Sequence, residues 1–314
     1  MPIYDYLMEY YTNKRKPKLT PGTQKRYEKN YLTFSNYFKN KKIKDIDNYD
    51  YQKFINWYSK GHAKGTVEKI HSQVRAAFKF ARANGYIDID PTFDIDLKYE
   101  VKAKPEEELY INEHEFIALI KSITEGITHD DINRHLILLA CATGARFGEL
   151  VALTFDDYNF FTQQITINKS YDYVTTMDFK EPKTESSIRK VTIDNKTNEI
   201  LQKYVEYQKG DLRNVNHLLF PSPDLLIQPI SHNAVLKELR RHCRKVGIQE
   251  IGVHALRHTH ASLMLLKGLT VEYISERLGH SSIETTRKYY LHIVEEMKKK
   301  SDKKVLNVFN EMYS

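Results

Sequence analysis

Apolar residues recur at helical spacing through the first 98 residues, and this periodicity constrains the fold more than any other feature of the sequence. Tyr27, Tyr31, Phe34 and Phe38, for example, share one face if the segment after Pro21 and Gly22 is helical. The pattern predicts four helices: residues 3–12, 23–38, 50–60, and a fourth that starts at a Thr66 N-cap and ends near Asn84 and Gly85. An all-helical domain is therefore expected over residues 1–98.

A second domain is predicted over residues 109–314, after a linker at 99–108 in which Pro105 precedes three glutamates. Helices are expected from Asn112, over residues 133–142 and in the stretch ARFGELVAL. Strands are expected in QITINKS and SIRKVTI, where Ile188, Val191 and Ile193 would share one face. The fold class predicted for the whole chain is mainly α with a small antiparallel β-sheet.

The excess of positive charge lies entirely in the N-terminal part of the chain. Residues 1–100 hold 19 Lys and Arg against 12 Asp and Glu, whereas the other 214 residues hold 29 of each. Localised positive charge is the footprint expected of a surface that binds the phosphate backbone of nucleic acid. The alternative is a basic surface that only faces solvent.

Several protein classes are not expected from this sequence. No run of 18 apolar residues occurs, so no membrane span is predicted. The N-terminus lacks a basic patch followed by an apolar core, so no signal peptide is predicted. Cys141 and Cys243 lie far apart in sequence, which favours a reducing compartment such as the cytoplasm over a disulfide framework.

Residues suited to chemistry fall in four stretches of the second domain: ATGARFGELVALTFDD (142–157), PKTESSIRKV (182–191), HALRHTHASLMLLKG (254–268) and ERLGHSSIETTRKYYLH (276–292). His254 and His258 have the i, i+4 spacing of zinc ligands on a helix. However, position 255 is Ala rather than the general-base Glu of HExxH, and no Cys lies at ligand spacing. A metal site is therefore not expected.

The same stretches fit phosphoryl transfer. Two guanidinium groups can clamp the non-bridging oxygens of a phosphodiester as negative charge develops on them. A tyrosine hydroxyl can attack the phosphorus once such a field lowers its pKa from about 10. Imidazole and ammonium groups can move protons to and from the bridging oxygens. Such a site needs no divalent metal, so no cofactor is expected.

The order of these residues resembles the pattern of the tyrosine recombinase family, in its phage and integrative-element integrase branch. That pattern is Arg, Lys, His-x-x-Arg, His, Tyr. It occurs here as Arg146, Lys183, His254, Arg257, His280 and then Tyr289 or Tyr290. The resemblance covers roughly residues 1–300 and implies a helical, SAM-like core-binding domain followed by a mixed α/β catalytic domain. Many integrases of mobile elements begin with a small arm-binding domain, whereas this chain enters the helical domain almost at once: either it recognises only core sites or it is a shortened relative.

The resemblance also implies a role for each residue: Arg146 and Arg257 would hold the scissile phosphate, Lys183 would protonate the leaving 5′-oxygen, His254 would accept a proton, His280 would hydrogen-bond the phosphate, and Glu149 would support the site. Lys180 is the alternative to Lys183, although the Lys-Thr pair before SSIRKV matches the family better.

Tyr289 and Tyr290 compete for the role of nucleophile. Neighbours on a helix point about 100° apart, so only one of the two hydroxyls can reach a given phosphate. The spacing from His280 does not decide between them. Many integrases of this branch read Thr-x-x-x-Tyr-x-His, and Thr286, Tyr290 and His292 fit that register. The resemblance therefore favours Tyr290.

The function implied is that of a site-specific DNA recombinase, which integrates or excises a mobile element such as a prophage through a 3′-phosphotyrosyl intermediate and without ATP. Its partners would be double-stranded DNA, further copies of itself in a tetramer, and a host bending protein or excision factor. An apolar face between Val305 and Met312 would dock on a neighbouring subunit or on its own domain. The alternatives are a type IB topoisomerase and a non-catalytic DNA-binding regulator.

Removal of residues 1–98 should weaken the salt dependence of DNA binding. Each phosphate contact contributes about −0.9 to the slope of log affinity against log salt concentration, and the charge excess lies in this part of the chain. The measurement is a salt titration of duplex DNA binding by the full and the shortened chain. An unchanged slope would assign the charge to a surface that does not contact DNA.

Overall fold

The computed structural model describes residues 1–39, 41–101, 110–181 and 187–290. The chain divides into two compact units, Met1–Lys104 and Pro105–Ser314. Both are mainly helical, and every strand pair in the described ranges is antiparallel, which confirms the predicted fold class. None of the helices described is long and apolar enough to cross a membrane.

The N-terminal unit is built on four helices: α1 (Ile3–Tyr10), α2 (Pro21–Phe38), α3 (Asn48–Ser59) and α4 (Lys64–Ala83). Their apolar faces meet in an aromatic core, where the ring centroid of Phe34 lies 4.7 Å from that of Phe54 and 6.0 Å from that of Phe78. The predicted Thr66 cap is wrong, because α4 begins two residues earlier and Ala63 stands at its N-cap. Thr66 therefore lies inside the first turn.

The segment after α4 packs against the same unit. Ile95, Leu97 and Tyr99 are partly buried against its core, and Val101 forms a β-bridge with Ala63. Apolar side chains thus continue the N-terminal unit beyond the last helix, and the division between the two units falls within the stretch predicted as a linker.

The second unit surrounds helix α6 with other helices. The helices are α5 (Glu113–Thr124), α6 (Ile132–Thr143), α7 (Phe147–Leu150), α8 (Asn195–Lys209), α9 (His232–Lys245), α10 (Val253–Leu266), α11 (Val271–Leu278) and α12 (Ile283–Tyr289). Most residues of α6 are buried, and α5, α8, α9 and α10 all pack against it. The start of α5 at Asn112 is confirmed by a capping box with Glu115.

The strands form two small sheets rather than the one predicted. Strands β1 (Tyr158–Asn159), β2 (Gln164–Ile167) and β5 (Arg189–Thr192) pair in the order β1-β2-β5, and β3 (Ser170–Tyr171) pairs with β4 (Phe179–Lys180).

The predicted inward face of the last strand is partly wrong. Ile188 is 55% exposed and lies outside β5, whereas Arg189, Val191 and Ile193 are buried. Alternate residues of a strand share a face, so the register that buries Val191 and Ile193 also buries the guanidinium of Arg189.

Gly144 makes the turn that carries the chain from α6 into α7. It ends α6 in the left-handed conformation, with φ of 65°. A Cβ atom at this position would lie 2.8 Å from Cδ2 of His260 and 2.9 Å from Cδ2 of Leu278. Both the backbone angle and the close packing therefore require glycine.

Gly144→Ala should lower the free energy of unfolding by about 2–5 kcal/mol, from about 1–2 kcal/mol for the left-handed backbone and about 1–3 kcal/mol for overpacking. Gly126→Ala is the matched control, because Gly126 has φ of 60° but a Cβ there would meet no described heavy atom within 4 Å. Chemical denaturation of both variants measures the difference. Equal losses would show that close packing at Gly144 contributes nothing.

Candidate active site

The turn between α6 and α7 brings Arg146 close to the end of α11. Arg146 stands at the N-cap of α7, and its Nη1 donates to Oε1 of Glu149 at 2.8 Å. Both of its terminal nitrogens also lie 3.4 Å from the carbonyl oxygen of Gly279. The side chain of Arg146 is 41% exposed. One side of the guanidinium is thus fixed by the protein while the other faces solvent.

Arg257 reaches the same turn from α10. Its Nη1 donates to the carbonyl oxygen of Gly144 at 3.0 Å, whereas its Nη2 is buried and has no hydrogen-bond partner among the described residues. Burial, reinforced by the positive charge of Arg146, lowers the pKa of Arg257 to about 9, so the group is still protonated at neutral pH. A buried donor without an acceptor is costly in free energy, and an anion bound here would supply the acceptor.

Glu149 is the only acidic side chain described in this arginine cluster, and it pairs with two arginines. Its Oε2 accepts from the backbone N–H of Arg146 and from Nη2 of Arg189, each at 2.8 Å, and both side chains of the Arg189–Glu149 pair are buried. Burial opposes ionisation of Glu149, but the hydrogen bonds and positive charges of Arg189 and Arg146 outweigh it and hold its pKa below the ordinary value. Glu149 therefore holds Arg146 in place; the supporting role that the resemblance implies for Glu149 stays a prediction.

Arg189 is a residue of this cluster that sequence reasoning missed. Besides Glu149, it donates to the carbonyl oxygens of Ser187 at 3.1 Å and of Arg277 at 2.7 Å. The signal in the sequence was an arginine that alternates with Val191 and Ile193, because a charge at an inward strand position needs a buried partner.

His254 lies in the first turn of α10 and, like Arg146, lines a cleft of about 670 Å³. Partial desolvation of the ring and nearby positive charges, including that of Arg257, lower the pKa of His254 to about 4. The ring is therefore neutral at pH 7. The cleft is also lined by Lys169 and Lys180, which pair with Asp157 and Asp172.

His280 follows the left-handed Gly279 that ends α11. Its Nδ1 lies 2.7 Å from Oγ1 of Thr286, which is fully buried. Burial and the positive charges of Arg257 and Arg146 lower the pKa of His280 to about 3. In the sequence, Thr286 served only to choose Tyr290 over Tyr289 by its spacing. In the structure, it also hydrogen-bonds His280, one of the predicted catalytic residues.

Tyr290 directly follows α12 and is 3% exposed. Its ring belongs to a small apolar cluster formed by Ala261, Leu265, Ile274 and Leu278, and its hydroxyl lies 3.1 Å from Nδ1 of His258. Lys183 and His292 lie outside the described residues, as does the side chain of Tyr289.

The structure thus brings together five of the six residues predicted as catalytic, Arg146, His254, Arg257, His280 and Tyr290, with Glu149 beside them. Among the side chains described, no group of three His, Cys, Asp or Glu is placed to hold a metal ion.

The comparisons with known proteins identify the family. The phage integrase family matches residues 110–297, and the N-terminal SAM-like domain of phage integrases matches residues 4–58. The first match covers more than half of the chain, so the chain belongs to the phage integrase family. Its members include tyrosine recombinases, and the chain is a site-specific recombinase of the tyrosine type, as the resemblance predicted.

Two of the relatives span nearly the whole chain. A tyrosine recombinase XerC-like protein of Caldanaerobacter subterraneus is 27% identical over 320 residues, covering 94% of this chain and 79% of the relative. Tyrosine recombinase XerD of Staphylococcus saprophyticus is 26% identical over 316 residues, covering 99% and 98%.

Two solved structures share the fold. The Tn1549 transposon integrase, in complex with transposon right end DNA, has a TM-score of 0.78 at 18% identity, covering 96% of this chain and 99% of that one. A lambda integrase dimer bound to a COC′ core site has a TM-score of 0.68 at 17% identity, covering 92% and 95%.

Arg189→Met should lower the free energy of unfolding of the second unit by about 3–5 kcal/mol, because Glu149 would stay buried with only one of its two arginines. Arg213→Met is the matched control, since the Arg213 side chain is 79% exposed in its ion pair with Asp211 and should cost about 0–1 kcal/mol. Thermal or denaturant unfolding measures both. Similar small losses in the two variants would mean that the buried pair is not structural.

Proposed function

We propose that this recombinase cleaves and rejoins double-stranded DNA through a 3′-phosphotyrosyl link, and that it integrates or excises a mobile element. The observation that carries the proposal is the buried, protonated Nη2 of Arg257, which has no partner among the described residues. A non-bridging oxygen of a phosphodiester supplies the missing acceptor. The half-exposed guanidinium of Arg146 holds the second oxygen.

In this proposal the two arginines hold the phosphate while Tyr290 attacks it. The negative charge that grows on the non-bridging oxygens is stabilised by Arg146 and Arg257, whose positions are set by Glu149 and by the Gly144 carbonyl. His280 hydrogen-bonds the phosphate, and Lys183 gives its proton to the leaving 5′-oxygen. The new bond is a phosphodiester with tyrosine, so its energy is kept and rejoining requires no ATP.

We extend the proposal to assembly. Residues 1–98 bind DNA and supply much of the charge-dependent affinity, residues 99–108 link the domains, and residues 109–314 catalyse. Two protomers occupy one core site and two sites form a tetramer, with a host bending protein or an excision factor as accessory partner. The lambda integrase dimer on a core site supports the first part of this arrangement, two protomers on one core site. The apolar face predicted between Val305 and Met312 lies outside the described residues. The two buried free cysteines fit action in the cytoplasm.

The test of the nucleophile is to trap the covalent product on a nicked DNA substrate with Tyr290→Phe and Tyr289→Phe, in the presence of EDTA. Tyr290→Phe should abolish the adduct because the attacking oxygen is gone, whereas Tyr289→Phe should retain it. EDTA should not affect the wild type, because the arginines supply the charge stabilisation.

Loss of the adduct only in Tyr289→Phe would reverse the assignment. Loss in the wild type on addition of EDTA would contradict the metal-independent reaction. Relaxation of a plasmid that lacks any target site, at the rate seen with a site, would indicate a topoisomerase instead of a site-specific enzyme.

A further inference from the structure

Helix α10 presents three polar side chains to the site within its first two turns: His254, Arg257 and His258. His258 follows Arg257 directly, so its side chain leaves the helix about 100° further round. This direction leads to the residue after α12, where Nδ1 of His258 lies 3.1 Å from the hydroxyl oxygen of Tyr290. His254, by contrast, lines the cleft beside Arg146.

We propose that His258 positions the hydroxyl of Tyr290 and accepts its proton during attack, the role that the family resemblance assigned to His254. This inference rests on the proposed function, because it takes Tyr290 as the nucleophile. A donor–acceptor distance of 3.1 Å lies within the range of about 2.6–3.2 Å that a general base needs.

The His258 ring is in the protonation state that this role requires. Burial, followed by the positive charge of Arg257, lowers the pKa of His258. A neutral imidazole has one nitrogen that donates and one that accepts, so with the hydrogen on Nε2, Nδ1 accepts from the phenol. The edge of the His254 ring meets the His258 ring, with centroids 4.9 Å apart and planes at 89°, which restricts the orientation of the His258 ring.

The proton balance of the step is complete. The O–H bond of Tyr290 breaks and its proton passes to Nδ1 of His258, while the phenolic oxygen forms its bond to phosphorus. The bond from phosphorus to the 5′-oxygen breaks, and that oxygen takes a proton from the acid, proposed above as Lys183. On rejoining, the 5′-oxygen bonds to phosphorus and its proton passes back to Lys183. The bond from phosphorus to the Tyr290 oxygen breaks, and His258 returns the proton to that oxygen. A phosphate bound to Arg257 offsets the charge that would otherwise oppose protonation of His258.

Apolar packing fixes the ring of Tyr290. The Tyr290 ring lies in the apolar cluster with Ala261 and Leu265 of α10 and with Ile274 and Leu278 of α11. Because α10 carries both His258 and part of this cluster, the same helix contacts the ring and the hydroxyl of Tyr290. His258 therefore determines where the attacking oxygen lies relative to Arg257.

The experiment measures the rate of adduct formation in a single turnover on nicked DNA at saturating protein. His258→Leu removes both functions and should slow the reaction by about 10²–10⁴-fold, the usual contribution of a general base. His258→Gln can still hydrogen-bond the hydroxyl but cannot take a proton, so it should also be slow. DNA affinity should be unchanged in both. His129→Gln is the control, because His129 lies in the loop before α6 with its side chain 48% exposed.

A fluorinated tyrosine at position 290 separates proton transfer from positioning. Its phenol ionises at lower pH, so it needs a base less, and most of the rate lost in His258→Leu should return when the two changes are combined. A merely structural defect would not be rescued in this way.

The possible results distinguish the two proposals. A wild-type rate in His258→Leu, a wild-type rate in His258→Gln, or no recovery with the fluorinated tyrosine would overturn the role of His258 as proton acceptor. An adduct that peptide mapping assigns to another tyrosine would overturn this inference but not the recombinase chemistry. Absence of any adduct in the wild type would overturn the proposed function, and this inference with it.

Discussion

The carboxylate of Glu149 is the contact on which the arrangement of the site depends. It accepts hydrogen bonds from the backbone and guanidinium of Arg146 and from the guanidinium of Arg189. Taking these charges out of water is costly, and only such close geometry offsets it. The remaining donors of Arg189 bind backbone carbonyls before β5 and at the end of α11. One carboxylate thus ties the turn after α6 to the sheet and to the turn that carries His280.

Glu149 is the one carboxylate described among three arginines, Arg146, Arg189 and Arg257, and it pairs only with the first two, so the site has an excess of positive charge. Burial, and after it this excess of positive charge, lowers the pKa values of His254, His258 and His280. The histidines are consequently neutral and able to accept protons. A phosphodiester would supply the missing negative charge, and it would make protonation of a neighbouring imidazole easier at the moment when the reaction needs it. Binding and proton transfer are therefore linked by electrostatics.

The sequence was most informative where a pattern repeats over several turns. Helices α1 to α6 were all predicted, because an amphipathic helix leaves a periodic signal. Strands of two residues, such as β1, β3 and β4, are too short to leave a period, and the second sheet was accordingly missed. Helix α7 has a single turn, which is too short to leave a helical period, and it was therefore predicted as a longer helix over ARFGELVAL.

The sequence by itself determined which chemical groups the site has and their order along the chain, because a family pattern is a property of residue types and spacing. Tertiary structure alone decided which residues of the site contact one another. Glu149 meets Arg189 across 40 residues, Arg257 meets Gly144 across 113, and His258 meets Tyr290 across 32. No local pattern encodes such contacts, since they exist only once α6, α10, α12 and the sheet pack on one core. In the sequence, His258 and His254 have the spacing of two zinc ligands on a helix. In the fold, His258 lies against the hydroxyl of Tyr290, the candidate nucleophile.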